Sequence, residues 1–265
     1  IVVNGAEITR SMPPGHSNAV FLRDANPLKV DDAEDAFQAA RAQDAFVLWN
    51  HPSWTGQRKN GIAVLSDMHR SLFERDLVHG IEVANGSIIS PEALELALEF
   101  DLAILGTSDI HGLIDWDYDI AAGEHRTTTL VFAAERSAAA AREALFANRT
   151  VAWMDNTLIG REDVLLPLLR ASLQVTDVRI RPNSTLVDVT FTNTSDARFE
   201  LLHRGEHTLY DQPGLVVVPP HDSLTVGVAG LAVDAFAPDF GVLNAMTAPG
   251  RFAELSFAID VPSDG

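Results

Sequence analysis

Among the acidic and histidine side chains of the first 111 residues, five are candidate ligands of divalent metal ions, because each lies beside a short apolar run. They are Glu7, His16, His51, Asp109 and His111. Carboxylate oxygens and imidazole nitrogens are suitable ligands for divalent metal ions. Several strands that end at one rim deliver such residues to a common point, as in α/β barrel enzymes. The set is therefore typical of a metal-dependent hydrolytic site.

The sharpest signal is Asp109-Ile110-His111, which follows an apolar strand and a Gly-Thr-Ser turn. In an extended segment, residues two apart point to the same side, so this carboxylate and this imidazole would face one point. A solvated loop fits the same residues equally well.

His51 and Glu7 each have a second interpretation. His51 follows the apolar run 46–50 and precedes Pro52, so it either joins the site or makes an ordinary hydrogen bond at the strand end. Glu7, if buried, needs a cationic partner, because an isolated buried carboxylate is costly. A metal ion and Arg10 are the two candidates.

Supporting roles are predicted for two further positions. Glu82 interrupts an apolar strand, and we expect it to orient a ligand or Asn85 rather than bind metal directly. Arg126 could bind a phosphate oxygen bidentately or pair with the acidic loop 115–119. His69 flanks a predicted polar helix and carries less weight for the site.

The elements that must position these residues alternate between β-rich runs and helical segments over residues 1–156, which predicts parallel βα units. Helices are expected over 31–43, from the Ser90-Pro91 pair onward, and from Ser137 to about Asn148. Strands are expected at the following positions: 19–22, 46–51, 80–83, 102–105, 127–133 and 150–153.

Beyond a leucine-rich helix near 161–171, short alternating runs are separated by Pro, Asn, Gly and Asp. This texture predicts an antiparallel β-sandwich. The expected strands are 175–180, 186–193, 199–203, 214–218, 223–228 and 252–261. We therefore predict two domains, 1–172 and 173–265.

Composition limits the partners. The formal net charge is -18, from 37 acidic and 19 basic residues, which disfavours nucleic-acid polymers and anionic membranes. A small phosphorylated substrate stays possible, because bound cations reverse the field inside a pocket. The chain has no cysteine, so only nitrogen and oxygen ligands are open to a metal. These features are compatible with a periplasmic or secreted protein and equally with a cytoplasmic one.

In order along the chain, these motifs resemble the PHP (polymerase and histidinol phosphatase) family of metal-dependent phosphoesterases. The matching segments are Gly5-Ala6-Glu7-Ile8-Thr9, Gly15-His16-Ser17-Asn18-Ala19, Asn50-His51-Pro52, Ile81-Glu82-Val83-Ala84-Asn85 and Ser108-Asp109-Ile110-His111. The segments at 125–131 and 156–160 look like a branch with a C-terminal β-domain, some members of which hydrolyse phosphodiesters.

The resemblance implies a distorted (β/α)7-type barrel with two or three divalent metal ions (Mn, Zn or Fe) and a metal-bridging hydroxide that attacks phosphorus. Glu7 would bridge two metals, His16 and His51 would bind the second, Asp109 the first and His111 the third. Glu7, Asp109 and His111 would thus carry the catalysis. The expected supporting or substrate-binding residues are Asn18, Glu82, Asn85 and Arg126. Loops 54–60 and 115–124 would select the substrate.

One departure from the family pattern stands out. The Asp-x-His-x-His strand and the Asp-His pair of the family do not occur in this sequence. We expect that the first barrel strands precede Ile1 or come from another chain. A degenerate PHP fold acting as a non-catalytic binding module is the alternative function, and hydrolysis of a C–N or C–O bond is a third.

Overall fold

The computed structural model describes residues 1–210, 212, 214–229 and 235–262. The chain forms two compact units, Ile1–Arg161 and Glu162–Gly265. The helix that follows Arg161 belongs by its packing to the second unit. The domain boundary at residues 172/173 stays a prediction.

The first unit is built on a mixed sheet. Its strands are β1 (Gly5–Ile8), β2 (Ser17–Val20), β3 (Phe46–Trp49), β4 (Gly80–Asn85), β5 (Ile88–Ile89) and β6 (Ala103–Thr107). They lie in the order β1-β2-β3-β4-β5, and β6 also pairs with β4. Strands β3, β4 and β6 are parallel, as predicted. An antiparallel run follows, with β7 (Thr128–Val131), β8 (Thr150–Met154) and β9 (Thr157–Gly160).

The prediction of parallel βα units throughout 1–156 is wrong at both ends of this unit. Strand β1 pairs antiparallel with β2, and β2 pairs antiparallel with β3. The segment between β1 and β2 is too short for a parallel crossover, which needs a dozen residues or more. Strands β8 and β9 are antiparallel for the same reason, because only residues 155–156 lie between them. Strand β7 also pairs antiparallel with β8.

The described residues form five α-helices, each with one or more buried side chains on one face. They are α1 (Ala33–Arg41), α2 (Asp67–Glu74), α3 (Pro91–Glu99), α4 (Ala138–Phe146) and α5 (Glu162–Ser172). Ser90 caps α3 with its hydroxyl, as predicted, and α4 begins at the predicted position, where the Ser137 hydroxyl is its cap. Within the described ranges, no helix has the length and apolar character needed to cross a membrane.

Buried aromatic and aliphatic side chains of β3, β4, β6, α1 and α3 form the core of the first unit. The largest are Phe37, Phe46, Trp49, Ile81, Leu94 and Ile104. His69 of α2 is part of this core, only 1 % exposed, with its ring stacked on Trp49 at a centroid distance of 3.8 Å. The prediction that His69 flanks a polar helix is wrong, because the residue lies inside α2 on its buried face.

Four helices of the first unit end in the same left-handed cap. The capping residues have φ between 54° and 57° and are Asp44, Asp76, Asp101 and Asn148. The amide of the next residue donates to a carbonyl of the preceding helix, as in the bond from Ala45 N to Ala40 O at 3.1 Å. This is the Schellman pattern, in which glycine is the usual residue at the cap.

The second unit is an antiparallel β-rich domain. Its strands are β10 (Leu173–Ile180), β11 (Val187–Asn193), β12 (Phe199–His203), β13 (Thr208–Leu209), β14 (Leu215–Val218), β15 (Ser223–Ala229), β16 (Ala235–Phe236), β17 (Asp239–Ala248), β18 (Arg251–Ser256) and β19 (Ile259–Asp260). One sheet has the order β10-β11-β15-β13, whereas β17 pairs with both β12 and β18. Phe191 of the first sheet contacts Phe240 of β17 at a centroid distance of 5.7 Å. Strand β17, with 10 residues, is the longest strand that the sequence analysis missed; the two-residue strands β5, β13 and β16 were not predicted either.

Candidate metal centre

The candidate ligands from the parallel strands share one edge of the sheet. Because β3, β4 and β6 are parallel, their carboxyl ends lie at the same edge. His51 comes two residues after β3, Asn85 is the last residue of β4, and Asp109 comes two residues after β6. Strand direction alone therefore brings these three positions to one rim.

The antiparallel strands β1 and β2 bring Glu7 and His16 to the same rim. In their register Ile8 lies opposite Ser17 and Glu7 lies opposite Asn18, so the end of β1 meets the start of β2. The start of β2 in turn lies beside the end of β3, where Asn50 N donates to His16 O at 2.9 Å. Asn18 is tied in by its backbone, since its N–H donates to Asn50 Oδ1 at 3.0 Å.

Glu7, His16 and His51 form a contiguous cluster. His16 Nδ1 lies 3.0 Å from Glu7 Oε1, and the Thr9 hydroxyl donates to the same oxygen at 2.8 Å. The rings of His16 and His51 meet edge to face with centroids 4.9 Å apart. Arg10 donates instead to the carbonyls of Thr9 and Val30. Glu7 is exposed rather than buried, and its partners among the described residues are His16 and Thr9, not Arg10.

His51 is held in an unusual backbone conformation and keeps one nitrogen free. Its φ is 28°, outside the range that most residues adopt, and the residue is 8 % exposed. Its Nδ1 is buried and has no hydrogen-bond partner among the described residues. Burial lowers the pKa of the imidazole, against the opposing effect of the nearby Asp109 carboxylate. A neutral imidazole with an unpartnered nitrogen is the form that binds a metal ion.

Glu82 supports His51 from inside the sheet. Its Oε2 accepts from the backbone N–H of His51 at 2.6 Å and from Asn85 Nδ2 at 2.9 Å. Asn85 Nδ2 also donates to Thr107 Oγ1 at 3.1 Å, a contact that the sequence analysis missed. Glu82 is 3 % exposed, and this burial raises its pKa to about 7 despite the hydrogen bonds. The side chain therefore fixes the backbone at the candidate ligand instead of facing the site as a free carboxylate.

Asp109 and His111 are exposed, and the segment between them is not extended. Asp109 has φ 51°, so the alternation argument used for this pair does not apply. His111 Nδ1 donates to Asp109 O at 2.7 Å, which leaves Nε2 as the acceptor in the neutral ring. Asp109 is close enough to act electrostatically on His51, whereas no contact between described residues joins the His111 side chain to the cluster.

Arg126 lies near this rim, and the alternative pairing with the acidic loop is not observed among the described residues, whereas its binding of a phosphate oxygen stays a prediction. The neighbouring Thr127 hydroxyl donates to Gly86 O at 2.5 Å, just beyond the end of β4. Arg126 is exposed, and no ion pair joins it to the acidic loop 115–119 in the described ranges.

The donors at this rim fit part of a metal coordination sphere. Carboxylate and imidazole donors are suitable for a divalent ion, and the buried Nδ1 of His51 has no hydrogen-bond partner among the described residues. Among the described residues, however, no group of three His, Asp or Glu side chains has the geometry to hold one metal ion. The structure therefore brings Glu7, His16 and His51 into contact. The side chains of Asp109 and His111 lie outside this contact cluster in the described structure.

Similarity to known proteins extends over nearly the whole chain. A two-domain protein from Bacteroides vulgatus, which contains a predicted PHP-like metal-dependent phosphoesterase, has a crystal structure that superposes with a TM-score of 0.89. The two sequences are 38% identical over 98% of this chain and 75% of the other. An Ig-like domain family matches residues 173–258. No curated protein matches the sequence.

Proposed function

The chain belongs to the PHP-like metal-dependent phosphoesterases, and on this premise we propose that it hydrolyses phosphate esters, small phosphodiesters in particular. The observation that carries the proposal is the cluster of Glu7, His16 and His51 at the carboxyl edge of the sheet, with one buried imidazole nitrogen left without a partner. The proposed architecture is the distorted (β/α)7 barrel of the family. The mixed sheet and the four helices of the first unit support it.

The proposed ligands are Glu7, His16, His51, Asp109 and His111, which would hold two or three ions of Mn, Zn or Fe. Bound divalent ions would supply Lewis-acid activation of the phosphoryl group and an acidified water. The oxygen and nitrogen donors match that requirement, because all three ions accept mixed imidazole and carboxylate ligands.

The remaining residues prepare those ligands. Glu82 holds the backbone of His51 through its N–H, and burial keeps the His51 ring neutral. The bond from His111 Nδ1 to Asp109 O leaves the lone pair of Nε2 available to bind a metal ion. Arg126 is proposed to bind a phosphate oxygen, because its guanidinium is exposed beside the same rim and makes no ion pair in the described ranges.

A second function, a non-catalytic binding module, is favoured by one observation. Three carboxylate or imidazole side chains with metal-binding geometry are absent from the described part of the chain. A module of this kind would keep the fold and lose metal-dependent turnover.

The test uses the full-length natural protein, stripped of metal and reloaded separately with Mn, Zn or Fe. Hydrolysis of bis(p-nitrophenyl) phosphate and p-nitrophenyl phosphate is measured for the wild type, Asp109→Ala and His51→Ala. We expect metal-dependent turnover that is higher for the diester, and losses of about 100-fold or more in both variants.

His221→Ala serves as the control, because this exposed imidazole lies in the second unit and pairs only with Asp196 in the described structure. Circular dichroism checks that each variant keeps its fold. Full activity in both Asp109→Ala and His51→Ala would refute the site assignment. No turnover of either ester with any of the three metals would favour the binding module.

A further inference from the structure

A large apolar side chain is exposed to solvent beside the candidate ligands. Trp54 is 45 % exposed, although an indole ordinarily buries most of its surface. Its ring centroid lies 5.1 Å from that of His51 and 5.7 Å from that of His16. The indole is thus in direct contact with both imidazoles and still presents surface to solvent.

The indole is held in this position by its own turn. Trp54 N donates to His51 O at 2.9 Å, and the Trp54 carbonyl accepts from Gln57 N at 3.0 Å and Arg58 N at 2.8 Å. The turn therefore fixes the Trp54 backbone relative to His51.

Gly56 allows the indole to lie against the turn. A Cβ at this position would come within 2.5 Å of Trp54 Cζ2 and 2.8 Å of Cη2. Any larger residue would have to push the six-membered ring away. Because the ring is backed by the turn on one side and by the imidazoles on another, its exposed surface is fixed before any ligand arrives.

Resting on the proposed phosphoesterase function, we infer that Trp54 is a specificity-determining residue: it receives the flat, apolar organic group of a phosphate ester whose phosphoryl group binds at His16 and His51. A fixed aromatic surface next to a phosphate site favours esters whose aromatic group is bonded to the ester oxygen, next to the phosphoryl group. Aromatic rings stack on such a surface beyond simple burial of area.

The negative net charge of the chain also favours apolar contact as the source of substrate affinity. With a net charge of -18, the protein repels polyanionic substrates, so a second phosphate is a poor source of affinity. Apolar contact with the indole is a source of affinity that this charge does not oppose.

The test measures binding without turnover. Phenylphosphonate and methylphosphonate carry the same anionic group and a phosphorus–carbon bond in place of the ester, and they differ in the aromatic ring. Both are titrated calorimetrically into the metal-loaded full-length protein, and tryptophan fluorescence is followed in parallel. For the wild type we expect phenylphosphonate to bind about three- to tenfold more tightly, as one aromatic stacking contact gives.

In Trp54→Ala the two phosphonates should bind about equally, with the affinity for methylphosphonate unchanged. Trp54→Phe should retain most of the preference for phenylphosphonate. Gly56→Ala should also reduce the preference, because it displaces the ring without removing it. Tyr210→Ala is the control, since this aromatic side chain is 60 % exposed, belongs to the second unit and makes no ring contact with either imidazole in the described structure.

The outcomes separate the inference from the proposed function. If neither phosphonate binds the wild type, the phosphate site itself fails. If both bind equally, or if Trp54→Ala keeps the phenyl preference, the inference about Trp54 is refuted and the phosphate site stands. An equal loss of both probes in Trp54→Ala also refutes it, because the indole would then only support the imidazoles.

Discussion

The buried imidazole of His69 should make the first unit less stable as the pH falls, and the effect is large enough to isolate. Its ring stacks on Trp49, its Nε2 lies 2.8 Å from Pro14 O, and its Nδ1 lies 2.7 Å from Ser66 Oγ. A carbonyl oxygen only accepts, so Nε2 carries the proton and Nδ1 accepts from the hydroxyl. The native state therefore holds His69 neutral.

Burial lowers the pKa of His69 from 6.5 to about 4. In the unfolded chain the imidazole takes up a proton as the pH falls through 6.5, whereas the native protein takes it up only near pH 4. The unfolded state thus binds more protons in this window, and stability is lost as the pH falls. At 1.36 kcal/mol per pH unit the full loss is about 3 kcal/mol, of which about 2 kcal/mol falls between pH 7 and pH 4.5.

The assay is urea unfolding at several pH values between 7 and 4.5, followed by tryptophan fluorescence. All four tryptophans, Trp49, Trp54, Trp116 and Trp153, belong to the first unit, so the signal reports on that unit. The comparison is with His69→Gln, which keeps an amide donor and cannot titrate. Burial also lowers the pKa of His51 and His79, and the difference between wild type and variant removes their share.

His69→Gln should be less stable than the wild type at pH 7, because it loses the stack on Trp49. The gap between the two proteins should shrink by about 2 kcal/mol by pH 4.5. His221→Gln, in the second unit, should leave the fluorescence-detected curve unchanged. A constant gap across the pH range would show that His69 is not held neutral and would refute the reasoning.

Three further predictions concern caps and metal. Asp44→Gly should raise the free energy of unfolding by about 0.5–1 kcal/mol, because its φ of 55° suits glycine better; urea unfolding checks this, and Asp44→Ala should show the opposite sign. Ser90→Ala should lower the stability by about 1 kcal/mol, since the hydroxyl caps α3 at Ala93 N, and a neutral result in the same assay would contradict the capping role. Mn²⁺ at about 100 times its dissociation constant should stabilise the wild type by about 2.7 kcal/mol and His51→Ala by far less, as the thermal midpoints with and without chelator will show.

Helix starts and parallel strands can be predicted from the sequence, because they depend on residues that are close together in the chain. Ser90-Pro91 and Ser137 fix where α3 and α4 begin, because their hydroxyls and the proline act within one turn. The parallel strands β3, β4 and β6 follow from their apolar runs and intervening helices. From these strands the shared rim of His51 and Asp109 is predictable, since strand direction alone decides it.

What depends on pairing between distant segments is beyond such patterns. Nothing local shows that β2 runs antiparallel to β3, because the segment between these strands contains α1 and is long enough for a parallel crossover. The burial of His69 depends on its contact with Trp49, and the pattern around a polar helix gives no sign of it. Strand β17 was missed because Gly241 and Asn244 interrupt its apolar alternation.

The bond between Glu82 and the backbone of His51 has a consequence for the order in which the site forms during folding. Glu7 and His16 meet across adjacent strands and are close in sequence. The His51 amide instead donates to the Glu82 carboxylate, 31 positions away on a parallel strand. Contacts between parallel strands are slow to form because a long segment must close first. The Leu22 amide donates to Asn4 O at 3.2 Å within the β1–β2 hairpin, so we expect it to gain protection before the His51 amide in pulsed hydrogen exchange. The backbone at His51 would then be fixed only after β4 has paired with β3; simultaneous protection of the two amides would contradict this order.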